Sequence, residues 1–426
     1  MSKKVCMLTT EHSALDDRIF YKESQSLHKA GYDVTLIAPL DQDGFLTDMG
    51  RKPIALSETN IDGINIVGFK IGRHSLFGLP KTWTLSQWFR LSMDAKSDFE
   101  KHDPFADMIN KGIKFDADVY HCHEIWSLYA GIKIKHELEK RGKKVKLICD
   151  VHEYWPAKQY GNKIRENIWS RAKNRFEKKN YKYVDYFFTV NQMLRGYLLL
   201  INGFRNTEVL YNCSLSSIFG ESEQKIVNLQ KTITICHEGS LVFSRGLKEI
   251  IEVMSSLKER YKGRVCLLII GEAYGKEKEY LDENIKKYEI EDIVKFTGWL
   301  PYEEVGNAIS NGAIGINFLD YHFENNMFTT AIKLFNYMRY GLPIVTVDLP
   351  ETRRIILDAN CGVIVKERTT EALADALSML IDQPELRKKL GQNSRRAFEE
   401  KYNWGAMEKR LLRVYEELLS SSNLVL

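Results

Sequence analysis

TITICHEGSLVFSRGLKEIIEVMSSLKERYKGRVCLLIIG, residues 232–271, reads as a strand, a glycine-bearing turn, a helix and a second strand. A β-branched run that ends in a turn, followed by a helical stretch and another β-branched run, is the pattern of parallel strands joined by a crossover helix. The same rhythm continues through IVKFTG, AIGINFL, LPIVTVD and GVIVKE. It also precedes the segment: KVCML, DVTLIAP, INIVGFKI, ADVYHCH, VKLICDVH and VDYFFTV alternate with helical-length stretches such as Phe20–Ala30 and Ser127–Arg141. Two such runs, each of about 180–200 residues, predict an α/β chain of two doubly wound, Rossmann-like domains. Boundaries are expected at 1–205 and 206–402, with VLYNC entering the second domain and the polar SLSSIFGESEQK following as a loop. NWGAMEKRLLRVYEELL, within 403–426, is amphipathic, and Met407, Leu411, Leu412, Val414, Tyr415, Leu418 and Leu419 form one face. It is expected to pack back on the first domain. Parallel sheets bind ligands beyond the carboxyl ends of their strands, so two facing sheets predict a site in the cleft between them.

The composition fits a folded chain. Of 426 residues, 44% are apolar and 28% charged, which excludes a largely disordered protein. Nine prolines and 27 glycines exclude collagen-like sequence. No apolar run reaches the roughly 18 residues of a membrane span. The opening KKVCML reads as a buried strand rather than a signal-peptide core, so a soluble, cytoplasmic protein is expected. Seven cysteines, at 6, 122, 149, 213, 236, 266 and 361, include no CxxC pair and read as buried free thiols. The net charge of +4 is uneven: residues 1–205 hold 33 Lys+Arg against 25 Asp+Glu, and the remainder 28 against 32. The basic first half is the side for an anionic partner.

TTAIKLFNYMRYGLPIVTVDLPE, residues 329–351, places Thr329 and Thr330 as caps of a helix starting near Ala331, with Gly341 and Pro343 ending it. Lys333 in the first turn opposes the helix dipole, which makes sense where an anion sits there. Arg245 and Gly246 fall at another turn into a helix, where guanidinium and backbone can grip a diphosphate. Gly271 ends LLIIG, and Gly298 with Trp299 ends KFTGW. Glycine turns at strand ends with two cations point to a nucleoside-diphosphate site. Neither GxGxxG nor GxxxxGK[ST] occurs, which argues against a dinucleotide dehydrogenase or a P-loop ATPase.

Two histidine clusters stand apart from this. His121-x-His123-Glu124 and Asp150-x-His152-Glu153 end strands of the first domain, and such residues could ligate zinc in a hydrolase. No HExxH is present, and the alternative is a hydrogen-bonded set lining a polar cleft; no metal is expected. KTWTLSQWFRLSM (81–93) and IWSRAKNRFEKKNYKY (168–183) mix aromatic and basic residues, as a peripheral membrane contact would, or as helices covering the sheet would. No basic run is long enough to suggest nucleic acid.

The chain resembles the retaining glycosyltransferases of the GT-B fold, family 4, of the bacterial surface-polysaccharide type. The likeness runs through DDRIFYKESQSLHKAGYDVTLIAP (16–39), DVYHCHEIWSL (118–128), DVHEYWP (150–156), VLYNCS (209–214), HEGSLVFSRGL (237–247), VKFTGWLPYEEV (294–305) and KLFNYMRYGLPIV (333–345). The resemblance implies transfer of a sugar from a nucleotide diphosphate sugar to a glycan or lipid-linked acceptor, with no cofactor besides the donor. Arg245 and Lys333 would neutralise the diphosphate. Gly239, Ser240, Gly271, Gly298, Trp299, Leu334 and Asn336 would line the donor. His123 would stand near the transferred sugar, and Asp17, Arg18, His152 and Glu153 on the acceptor side. The family's Glu-x7-Glu is replaced by Phe328 and Asn336, and the usual arginine of its GR turn by Ser240. Donor recognition then shifts, with Asn325 or Asn326 as candidates, and a non-catalytic nucleotide- or glycan-binding homologue is the alternative.

Overall fold

The computed structural model describes residues 2–72, 103–157, 163–203, 206–215, 232–300 and 302–420. The chain forms two compact units, one of Met1–Leu210 with Glu408–Leu426, the other of Tyr211–Met407.

The first unit carries strands β1 (Lys4–Thr9), β2 (Asp33–Pro39), β3 (Leu46–Thr47), β4 (Pro53–Ala55), β5 (Glu58–Ile61), β6 (Ile64–Phe69), β7 (Val119–His123), β8 (Lys146–Val151), β9 (Tyr186–Thr189) and β10 (Thr207–Val209). Eight of them form one sheet in the order β10-β9-β8-β7-β1-β2-β6-β5. All of its pairs are parallel except β5 with β6. That hairpin turns on Asp62 and Gly63, both at positive φ, the conformation a tight two-residue turn requires. The central strands β1, β7 and β8 are buried almost from end to end, which is why they read as continuous apolar runs.

VLYNC straddles the two units, Val209 and Leu210 belonging to the first and Tyr211–Cys213 to the second. Thr207–Val209 pairs with β9 and forms an edge of the first sheet, and the division falls at Leu210/Tyr211. The helix Trp404–Ser420 packs on the first unit from Glu408 onward. There Arg410 Nη1 donates to the Val209 carbonyl at 3.1 Å and Tyr415 stacks edge-on against Tyr32.

The second unit carries β11 (Ile233–Glu238), β12 (Val265–Ile270), β13 (Val294–Phe296), β14 (Ile314–Asn317), β15 (Ile344–Val347) and β16 (Gly362–Val365). They form a wholly parallel sheet in the order β13-β12-β11-β14-β15-β16. In both sheets the strand order reverses beside the first strand, between β1 and β7 and between β11 and β14. A ligand crevice opens at the carboxyl end of such a switch point. Those ends are Thr9 and His123 in one unit, Glu238 and Asn317 in the other.

All seven cysteines are buried and unpaired. Segment 81–93 and most of the loop after Leu215 lie outside the described residues, and 168–183 falls mostly within the helix Lys163–Tyr181. Among the described residues no helix is long and apolar enough to cross a membrane.

Candidate functional site

In the second unit β11 ends at Glu238 and the chain turns through Gly239 and Ser240 into a single 3-10 turn, Phe243–Arg245, before the helix Leu247–Tyr261. Gly271, at the end of β12, packs directly on that first turn. A Cβ there would lie 2.7 Å from the Gly239 carbonyl oxygen, and φ is 141°, so only glycine fits. Gly246 is similarly constrained, since a Cβ would meet Phe318 Cβ at 2.8 Å. These close approaches bring backbone, not side chains, to the strand ends.

Arg245 is exposed, and its Nη1 reaches the Ser240 carbonyl oxygen only at 3.5 Å. Lys333 is the opposite case: 7% exposed, with Nζ 3.4 Å from His237 Nε2. Burial holds the Lys333 ammonium down to about 7, Glu238 working against that shift and Arg245 adding to it. Burial, with Lys333 and Arg245 nearby, also keeps the His237 imidazole well below its ordinary range. The Glu238 carboxyl is pushed up by burial and partly drawn back by Lys333 and Asn336.

Asn336 holds this group together. Its Nδ2 donates to Glu238 Oε1 at 2.7 Å, and its Oδ1 accepts from the Ser214 hydroxyl. Glu238 Oε2 is enclosed without a hydrogen-bond partner. Tyr337, one residue on, accepts the Glu238 amide at 2.9 Å and reaches the Cys236 and Ile316 carbonyls at 3.2 Å, clamping the helix onto β11 and β14.

The threonine caps expected for that helix are not made. Thr329 Oγ1 donates back to the Asn325 carbonyl at 2.8 Å, and Thr330 Oγ1 is buried without a partner. The helix runs Ile332–Arg339 with Ala331 at its N-cap, so no side chain caps its first amides. The Leu334 amide turns back to the Ala331 carbonyl at 3.0 Å, and the Lys333 ammonium stands at the same uncapped end of the helix.

Other candidates from the sequence flank this core. Trp299 is 59% exposed, and its amide donates to Glu272 Oε1 at 3.2 Å beside Gly298. The Leu334 side chain is fully buried in the core. Phe328 ends a short 3-10 turn, Glu324–Phe328, and Asn326 Nδ2 is engaged by the Asp320 carbonyl at 2.7 Å.

The first unit gathers a second polar group at the ends of β1, β7 and β8. The chain after β1 winds as a π-helix, Asp17–Ser24, continuing as the α-helix Gln25–Lys29. Asp16 caps it, accepting from the Arg18 and Ile19 amides at 2.9 and 3.0 Å. The wider i→i+5 winding brings Arg18 and Glu23 onto one face, both fully enclosed. Arg18 grips Asp150 bidentately at 2.7 and 3.1 Å, donates to the Leu210 carbonyl at 2.8 Å, and lies 3.0 Å from Glu23 Oε1. His121 and His123, two apart on β7, share a face and stack at 4.7 Å. His152 Nε2 lies 3.1 Å from Asp150 Oδ2, and its amide donates to Glu124 Oε1 at 2.8 Å. Glu124 has φ 70°, a costly conformation for a residue with a Cβ, just where β7 turns into its helix.

Arg18, His121, His123 and His152 thus meet around Asp150 and Glu23. Asp17 instead pairs with Lys22 at 2.5 Å, and Glu153 is exposed. His123 is fully buried. Sequence reasoning passed over Glu23, His237 and Glu238. Glu23 was hidden because five-residue spacing has no meaning on an α-helix, and the other two because they sit inside an apolar-looking strand.

Two family models match the chain: Glycosyltransferase Family 4 over residues 18–213 and Glycosyl transferases group 1 over 219–397. Between them they take in nearly all of both units. The chain belongs to glycosyltransferase family 4. An uncharacterized glycosyltransferase of Methanocaldococcus jannaschii is 22% identical over 246 residues, a stretch that spans 56% of this chain and 60% of that protein. The chain therefore matches less than two thirds of that relative's length. Among solved structures, sucrose-phosphate synthase from Thermosynechococcus elongatus superposes with a TM-score of 0.69 at 13% identity, covering 98% of this chain and all of the other. Anabaena HepE in complex with UDP and glucose gives 0.67 at 11% identity, covering 97% and 99%. At such identities the superpositions establish the fold: two Rossmann-like units of the GT-B type.

Proposed function

We propose that this protein transfers a sugar, a hexose by family resemblance, from a nucleoside diphosphate to a glycan or lipid-linked acceptor in the synthesis of a surface polysaccharide or glycoconjugate. The observation that carries the reading is Lys333: an ammonium buried beside Glu238 and His237, at an uncapped helix N-terminus, 3.4 Å from an imidazole that cannot neutralise it. A diphosphate would supply negative charge that Glu238, pushed towards its neutral form by burial, provides only in part. The solved complex of HepE with UDP and glucose supports a nucleotide-sugar donor for this fold.

In this reading Lys333, Arg245 and the first amides of the helix Ile332–Arg339 hold the diphosphate. As the glycosidic bond breaks, charge accumulates on the departing phosphate, and fixed cations stabilise it more than they stabilise the bound donor. The leaving phosphate then takes the acceptor's proton on the face it vacates, so the configuration is retained and neither a carboxylate base nor a catalytic metal is needed. Asn336 and Glu238 lie beside these cations and are assigned to the donor's ribose hydroxyls, with Gly298 and Trp299 near its base.

Isothermal calorimetry of the full chain against UDP, GDP, dTDP and CDP tests this. One nucleoside diphosphate binding with a defined stoichiometry, and losing affinity in Lys333→Ala and Arg245→Ala, supports the assignment. No binding across the panel would reject it in favour of a non-catalytic homologue.

A further inference from the structure

The polar group of the first unit has a feature that its ion pairs do not explain. Glu23 Oε2 lies 3.7 Å from His121 Nε2 and 3.8 Å from His123 Nε2, and all three side chains are fully buried. None of these atoms has a hydrogen-bond partner. His123 Nδ1 is 3.6 Å from Asp150 Oδ2 and is also unpartnered. One ligand atom from each of Glu23, His121, His123 and Asp150 can be chosen so that all lie within 4.8 Å of one another.

The spacing discriminates between two ways of settling such a group. A proton bridging a carboxylate and an imidazole draws the heavy atoms to about 2.7–3.2 Å. Ligands around a tetrahedral ion, with bonds of about 2.0–2.2 Å, stand about 3.3–3.6 Å apart. The observed 3.7 and 3.8 Å are too long for the first and close to the second. His121 Nδ1 lies 2.9 Å from the Tyr415 hydroxyl, which accepts its N–H in the Nδ1-protonated tautomer. That leaves the Nε2 lone pair facing Glu23, and orientation of a ligating imidazole through its other nitrogen is usual around metals. Charge points the same way: Glu23 and Asp150 share one guanidinium, Arg18, while Asp16 pairs with His12 at 3.2 Å, so two enclosed carboxyl groups face a single cation.

We propose that Glu23, His121 and His123, with Asp150 as fourth ligand, hold a divalent transition ion of the zinc class that ties the π-helix Asp17–Ser24 to strands β7 and β8. The two nitrogens and two carboxylate oxygens suit zinc or cobalt(II) better than magnesium or calcium, which prefer oxygen alone. Arg18 and His152 act on Asp150 from outside the shell. The ion is enclosed, so its role is to fix the strand ends; no transfer step passes through it. The inference is independent of the sugar-transfer reading.

The test uses the full chain without a histidine tag, expressed in medium supplemented with zinc and, separately, with cobalt(II). Elemental analysis after exhaustive desalting should find about one metal ion per chain. The cobalt form should show visible ligand-field bands without the near-ultraviolet thiolate charge transfer that any of the seven cysteines would give. Glu23→Gln and His123→Gln should each lose the metal. Because either variant can fail to fold, the wild-type protein carries the decision. A folded wild-type chain free of metal from both media overturns the proposal. So does a thiolate band, or a folded Glu23→Gln or His123→Gln variant that keeps its full metal content.

Discussion

The two polar groups sit at equivalent places, each at the carboxyl ends of strands beside a switch point, and they are built in opposite ways. In the first unit Arg18 is saturated by Asp150, Glu23 and a carbonyl, and every partner is buried. In the second, Arg245 is exposed with one long contact, and Lys333 is buried beside an uncharged histidine and a Glu238 carboxyl that burial pushes towards its neutral form. The first group spends its cation inside the fold; the second keeps two cations for something that arrives. The lesson is that a strand-end location does not distinguish structural from binding charge, whereas the partner count does.

Substitutions break this comparison from both sides. The largest effect is expected from Arg18→Met, which strands the Asp150 and Glu23 carboxylates in a buried setting. Loss of one partner of such a group costs about 3–5 kcal/mol, so denaturant unfolding of the variant should show a lower midpoint. Lys333→Met should act in the reverse sense. Removing an ammonium whose charged form burial disfavours should leave the unfolding midpoint at pH 7 unchanged or raised. Nucleoside-diphosphate affinity should drop about ten- to a hundredfold, as for a lost charge-assisted bond of about 1.5–3 kcal/mol. A Lys333→Met protein that unfolds early but binds normally would reverse the two assignments.

pH sharpens the contrast further. In the free protein Lys333 titrates at about 7, below its unfolded value. Between about 7 and the ordinary lysine range the unfolded chain binds the proton and the folded one does not, so this group makes stability rise with pH across that window. A bound diphosphate favours the ammonium, so affinity should fall as pH rises above 7. Binding should take up protons, seen as a buffer-dependent enthalpy in calorimetry at pH 8 that vanishes in Lys333→Met. The smallest effect is expected from Asn336→Ala. It removes hydrogen bonds to Glu238 and Ser214, worth about 1 kcal/mol net, and should weaken nucleotide binding about fivefold.

Much of the architecture was legible because parallel strands buried on both faces read as apolar runs, and the glycine turns at Gly239, Gly246 and Gly271 mark where they end. The division falls at Leu210/Tyr211 and not at 205/206 since an edge strand of three residues carries no information about which sheet it joins; pairing of Thr207–Val209 with β9 decides that. Thr329 and Thr330 looked like caps because local sequence cannot show that Thr329 turns back to the Asn325 carbonyl. Lys333 and Arg245 were visible as cations in helix-start turns. Glu238 was not, because its meaning depends on Asn336, 98 residues away.

What the sequence determined by itself is therefore periodic and local: two parallel α/β units, their turns, and cations at helix starts, all set by neighbours a few positions apart. Only the tertiary structure decided which charges are consumed. Arg18 meets Asp150 across 132 residues and His121 meets Tyr415 across 294, and such partners follow from sheet order and helix docking. Whether a buried cation is satisfied or waiting depends on those distant groups, because desolvation and Coulomb energy are set by what surrounds a charge in space.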